Sequence, residues 1–214
     1  MQNIPQEPLK MAVHHEETGA VWRLSELFLQ HIPFEHDNLI FCCIGTDRST
    51  GDALGPLTGS ILTNSQFPYK IIGTLEKPLH AINLALTIEE LQQMKTYPFV
   101  VAIDACLGRE KSIGQIIVQH GPLLPGKAVN KDLPPIGNIS IKGVVNVGGF
   151  MEMLVLQNTR LHVTYSMSNK IARALLLAYQ RHSLKRKHKP NHHRNNRNSR
   201  EQISYPNFGQ SGNI

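Results

Sequence analysis

Two aspartates, Asp52 and Asp104, stand where a pair of carboxylates can do acid–base work. Asp52 lies in Gly45-Thr46-Asp47-Arg48-Ser49-Thr50-Gly51-Asp52-Ala53-Leu54-Gly55-Pro56, and Asp104 in Val100-Val101-Ala102-Ile103-Asp104-Ala105. Each follows an apolar run, Leu39 to Ile44 and Phe99 to Ile103. A short apolar run bounded by turn residues reads as a strand buried on both faces. A carboxylate just past it sits at the carboxyl edge of the sheet, where open α/β folds hold their ligand crevice. If the two meet there they cannot both ionise comfortably, so one proton is shared and one pKa rises. One carboxylate then deprotonates a water while the other donates to a carbonyl oxygen, which cleaves an amide without a covalent intermediate. The competing account gives Asp52 to a helix cap and Asp104 to a turn, both common uses of aspartate.

Other chemistries fit less well. The loop after the first strand runs Gly45, five residues, Gly51, Asp52. It lacks the lysine of a Walker A loop and the three glycines of a dinucleotide fingerprint, and Asp47 and Asp52 repel phosphate. There is no G-x-S-x-G elbow and no H-E-x-x-H. Cys106 follows Asp104 by two residues, with His80 and His120 as possible bases, but a Cys–His pair needs a proximity that spacing does not establish. His80, in Lys77-Pro78-Leu79-His80-Ala81, follows the second strand at the same edge. Asp47 and His80 are therefore candidate cleft residues beside the pair.

The elements that must position these groups alternate. Strands are expected at 39–44, 69–73, 99–103, 114–120, 139–147 and 161–165. Helices are expected at 21–30, 56–63, from between Ala81 and Thr87 to Met94, at 150–157 and at 168–179, the last with Ser168 as N-cap. A βαβ alternation of this kind predicts an α/β fold, a three-layer α/β/α sandwich around a mostly parallel sheet. The boundaries expected are a loose N-terminal arm at 1–18, an α/β domain at 19–182 and a basic, disordered tail at 183–214. Gly121 to Gly137 holds four prolines and reads as a long loop, a candidate lid or rim for the cleft.

The chain of 214 residues suits one domain of about 150–180 residues plus extras. No run approaches the ~18–20 apolar residues of a membrane span, and the first residues do not form a signal peptide. A cytoplasmic location follows, with no membrane partner. Cys42, Cys43 and Cys106 read as buried free thiols rather than a disulfide framework. The net charge of +6 belongs to the end of the chain. Residues 181–214 hold eight of the 22 Lys and Arg but one acid, leaving 14 basic and 15 acidic residues in the first 180. That tail is the candidate contact for an anionic partner, nucleic acid included, although it has no aromatic before Tyr205 for stacking.

Gly51-Asp52-Ala53-Leu54-Gly55-Pro56 after an apolar strand, with Ala102-Ile103-Asp104-Ala105 after another, resembles the germination protease of spore-forming bacteria. More distantly it resembles the hydrogenase-maturation (HybD-like) proteases, and the run of residues 38–180 is similar to the YyaC-type sporulation family of that superfamily. The resemblance implies a phosphorylase/hydrolase-like sandwich and Asp52 and Asp104 as the catalytic pair. It also implies a protein substrate, with small spore proteins as one class, and the cytoplasm of a sporulating cell, forespore or mother cell. In the maturation proteases a metal-binding His precedes V-G-x-x-E-x-L. Here the stretch is Asn146-Val147-Gly148-Gly149-Phe150-Met151-Glu152-Met153-Leu154, so Asn146 stands in its place. Asn is a poorer ligand than imidazole for nickel or zinc. The departure favours metal-independent chemistry with no cofactor, and leaves Asn146 as a substrate-side residue. Two alternatives stand beside this reading: a non-catalytic binding protein working through its basic tail, and a metal-dependent maturation-type protease.

Overall fold

The computed structural model describes residues 10–125 and 134–187. The elements run β1 (Lys10–His14), α1 (Ala20–His31), β2 (Leu39–Cys43), α2 (Leu54–Asn64), β3 (Lys70–Ile72), α3 (Leu84–Gln92), β4 (Phe99–Gly108), a 3-10 turn (Glu110–Ser112), β5 (Gln115–His120), β6 (Ile139–Val147), α4 (Glu152–Gln157) and α5 (Leu161–Lys187). Six strands form one mixed sheet in the order β1-β5-β6-β4-β2-β3. Strands β6, β4, β2 and β3 are parallel, β5 is antiparallel to β6, and β1 is antiparallel to β5. The architecture is an α/β sandwich.

Both faces of the sheet are covered. Leu39, Phe41 and Cys43 of β2 and Val101 and Ile103 of β4 face a core shared with α1, α2 and α5. Ile40, Cys42, Val100 and Ala102 face a smaller core under α3, closed by Leu123 and Ile136. Burial on both faces explains why β2 and β4 read as unbroken apolar runs rather than alternating ones.

Four sequence expectations change. Residues 10–14, assigned to a loose arm, form the edge strand β1, and Val13 is buried against the larger core. The strict βαβ alternation breaks between β4 and β5, because residues 109–114 are too few for a crossover, so β5 runs antiparallel. The strand expected at 161–165 is the first part of α5, which continues to Lys187, past the expected boundary at 182. Val163 and Thr164 favour a strand locally, but Thr164, Met167, Ser168, Ile171, Ala172 and Leu175 bury one helical stripe, and that packing decides. Ser168 is consequently mid-helix, its hydroxyl donating to the Thr164 and Leu54 carbonyls.

The fourth concerns the proline-rich segment. Its described flanks pair with each other (Leu123 with Ile136) and leave β5 and enter β6 at the amino edge of the parallel strands. They line a cavity of about 270 Å³ there with Leu91, Tyr97 and Val100, at the opposite end of β4 from Asp104. Residues 126–133 in its middle, 1–9 of the arm and 188–214 of the tail lie outside the described residues.

Candidate active site

The loop after β2 returns on itself to bring Asp52 back to the end of its own strand. Gly45 has φ +138, a backbone that side chains rarely adopt, and a Cβ there would lie 1.9 Å from the Asp52 carbonyl oxygen. Glycine permits the closure, and the Thr46 N–H donates to that oxygen at 3.3 Å. The Gly45 N–H donates to the Leu79 carbonyl at 2.8 Å, tying in the segment that carries His80.

Helix α2 then leaves the loop almost in contact with backbone. A Cβ at Gly55 would lie 2.1 Å from the Ile44 oxygen, and one at Gly59 would lie 2.0 Å from the Gly73 oxygen. Two glycines four apart share one face of the helix, and they let it rest directly on the ends of β2 and β3. The Gly-Asp-x-x-Gly spelling of the motif is therefore steric: one glycine brings the helix down, and Asp52 precedes it.

Asp104 arrives by register. The last β2–β4 pair is Cys43 with Ile103, whereas β4 continues beside β6 to Gly108. Asp104 is thus inside a strand rather than past its end, a correction to the sequence reading, but it is the first β4 residue beyond β2. Its neighbour in β6 is Lys142. Asp104 is only 8% exposed, and Asp52 is partly buried.

The electrostatics couple the two. Burial pushes the Asp104 carboxyl well above the usual carboxylate range, and the Asp52 charge pushes it further, against the Ala105 N–H and Lys142. Burial also raises Asp52, while the Thr46 N–H and His80 lower it. Both carboxyls are shifted toward the protonated form, Asp104 the more strongly, and the Asp52 charge is one of the causes acting on Asp104.

The remaining sequence candidates divide. His80 joins the site: its N–H donates to Asn83 Oδ1, Asn83 Nδ2 donates to the Pro78 carbonyl, and its Nδ1 is sequestered with no hydrogen bond among the described residues. Asp47 is exposed on the loop and does not join the buried pair. Asn146 is committed elsewhere. Its Nδ2 donates to Thr159 Oγ1 (3.2 Å), and its Oδ1 accepts from the Val147 N–H (2.8 Å). The Gly51 N–H in turn donates to the Leu156 carbonyl beside Thr159, so Asn146 helps fasten the end of β6 to the loop carrying Asp52.

Lys142 was legible as a charge inside an apolar strand and was missed. Cys106, on the same face of β4, has its thiol pushed up to about 11 by burial and then by Asp104, which leaves almost no thiolate at neutral pH. Asn146 offers a metal ion only an amide oxygen, a weaker ligand than imidazole for nickel or zinc, and that oxygen already accepts from the Val147 N–H. Among the described residues, the group of three His, Cys, Asp or Glu whose ligand atoms lie within 4.8 Å of one another is His14, His15 and Glu16 at the end of β1, not Asp52, Asp104 and His80. Both ring nitrogens of His14 are hydrogen-bonded there.

No helix among the described residues is long and apolar enough to cross a membrane. A NiFe hydrogenase maturation protease, HycI from Thermococcus kodakarensis, is similar in structure at a TM-score of 0.44 and 16% identity, over 72% of this chain and 99% of that one. In sequence the chain is 44% identical over 174 residues to "Uncharacterized protein YyaC" of Bacillus subtilis (strain 168), covering 80% of this chain and 85% of the relative. Residues 12–174 match the family described as "Protein of unknown function (DUF1256)". With that match spanning most of the chain, this protein belongs to the DUF1256 family.

Proposed function

We propose that this protein is a peptide-bond hydrolase that uses Asp52 and Asp104 as a proton-sharing pair. The observation that carries the reading is the placement of the buried Asp104, the first β4 residue beyond β2, at the edge to which the loop closed at Gly45 returns Asp52, whose charge acts on it. Asp52 is the base that takes a proton from the attacking water. Asp104 donates its proton to the carbonyl oxygen as negative charge develops there, and the pair then returns a proton to the leaving amine. His80 steadies the Asp52 charge. Lys142 favours the ionised form of Asp104 and so eases release of its proton.

No step is routed through a metal, because Asn146 is a poorer ligand than imidazole for nickel or zinc. By resemblance, the substrate is a protein processed in sporulation or germination, small spore proteins among the candidates, in the cytoplasm of the sporulating cell. The proposed contact of the basic tail with an anionic partner would use Lys185, Arg186 and Lys187 in the last turn of α5 together with residues 188–214, which lie outside the described residues.

The test is cleavage of an unstructured protein substrate by the full chain, read by mass spectrometry with and without EDTA across pH. The reading expects chelator-insensitive cleavage with a bell-shaped profile. Its acid limb marks protonation of Asp52 and its alkaline limb the loss of the shared proton. Activity abolished by EDTA and restored by zinc or nickel would overturn the metal-free mechanism.

A further inference from the structure

The edge that holds the acid pair also carries apolar surface that the core does not use. Beyond β6, Phe150 is 91% exposed, and Met151, Met153 and Leu154 are exposed beside it. Beyond β3, Ile82 is 82% exposed and Leu86 is exposed too. The strand order β6-β4-β2-β3 puts the strands leading to Asp104 and Asp52 between the two strands that these patches follow, with α4 packed on the larger core and α3 on the smaller one across the sheet. Both flanks are anchored to the site. Leu156 of α4 accepts the Gly51 N–H, and Asn83 at the head of α3 holds the His80 segment. Met151 also holds a left-handed φ of +56, a conformation uncommon for a side chain of this kind and one that recurs at functional segments.

We infer that the cleft takes an extended polypeptide lying across the strand ends, with large apolar side chains on both sides of the bond to be cut. The inference rests on the hydrolase reading above and names its substrate class. Three inter-strand steps of ~4.8 Å separate β6 from β3, about 14 Å, which about four residues of extended chain span. The apolar residues therefore sit about two positions to either side of the scissile bond. A second copy of this chain fits less well. The larger patch has four side chains, on the order of 500 Å² of surface, below the ~800 Å² per partner of a stable interface. Its separation from the second patch by two carboxylates suits a peptide backbone with side chains on either flank.

The test uses the full chain and dye-labelled peptides of equal length and charge. One set carries Phe or Leu two positions either side of a central bond, and the other carries Ser or Asn there. Binding is read by anisotropy on the Asp52→Asn/Asp104→Asn double variant, and cleavage on the wild type. The apolar set binds at least about tenfold more tightly, as burial of one such side chain gives. Phe150→Ser erodes the preference on one flank and Ile82→Ser on the other, with the melting temperature little changed because these side chains are 91% and 82% exposed. Equal affinity for both sets overturns the inference, as does a loss that is the same for both. A preference that persists while wild type cleaves nothing upholds the cleft and removes the hydrolase reading. Cleavage without preference does the reverse. A dimer by light scattering that Phe150→Ser dissociates, with peptides failing to compete, assigns the patch to self-association and overturns the inference.

Discussion

Replacing Gly55 with Ala sets two effects of opposite sign against each other. Inside a helix, alanine is favoured over glycine by about 1 kcal/mol, so an unobstructed substitution in α2 raises stability. Here the new Cβ meets the Ile44 backbone oxygen at 2.1 Å and its nitrogen at 2.7 Å. To reach the 3.4 Å of ordinary contact, the helix must retreat by about 1.3 Å, since no flexible side chain can yield in its place. Overpacking of this kind costs about 1–3 kcal/mol and outweighs the propensity gain. A backbone clash of this depth lies at the upper end of that range, so about 2 kcal/mol remains after the propensity gain, and for a domain of this size the melting temperature falls by about 4–8 °C. Because Gly55 lies three residues after Asp52, the same retreat carries the carboxylate off its partner, and a misplacement of ~1 Å costs about 10²-fold in rate. Calorimetry with peptide cleavage measures both. Gly121→Ala is the control: its φ is +95 and a Cβ there meets nothing within 4 Å, so it costs about 1–2 kcal/mol of backbone strain and leaves cleavage intact. An unchanged or raised melting temperature for Gly55→Ala, with full activity, would show that close helix–strand approach does not position Asp52.

Because its folded-state pKa is raised, Asp104 stabilises the fold fully below its unfolded pKa of about 3.9, and that contribution is lost as pH rises through the folded value. Asp104→Asn should flatten this fall and be more stable than wild type at pH 7, which thermal melts at pH 4 and 7 measure. Cys106→Ser should leave cleavage intact, since its thiol is pushed to about 11; lost activity would point to a thiol nucleophile instead. Arg181 pairs with Glu26 (2.5 Å), donates to Ser25 Oγ and lies 4.2 Å over the Trp22 ring, so Arg181→Ala should cost about 1 kcal/mol by denaturant titration. No change would mean that the exposed end of α5 adds nothing to stability.

The parallel strands were legible because burial on both faces leaves an apolar run that local sequence displays. Leu39–Cys43 fell where expected, and β4 starts at Phe99 as expected but runs on to Gly108, which puts Asp104 inside it. What local sequence hides is pairing at a distance. Lys10–His14 has a strand only because β5 offers an edge, and β5 reverses only because its connection is short. The stripe from Thr164 to Ala178 is plain once α1 and α2 are known to cover it, but Val163 and Thr164 alone speak for a strand. At the site, Gly55 and Gly59 of α2 make close contact with the Ile44 and Gly73 backbone, a role that spacing along the chain does not reveal. Asn146 was placed correctly at the end of β6, yet its partners Thr159 and Val147 make it a fastening rather than a substrate contact.

The central claim is that Asp52 and Asp104 act as one proton-sharing unit, and the most direct measurement is the cleavage rate of Asp52→Asn, Asp104→Asn and the double variant on one peptide substrate. Each single change keeps the size of the side chain while removing a titrating group. The account predicts that either alone lowers kcat/KM by about 10²–10⁴-fold with the protein still folded, and that the double variant is little worse than the singles, because groups that act as a unit are not additive. Full activity in Asp104→Asn, or losses that simply multiply in the double variant, would contradict it.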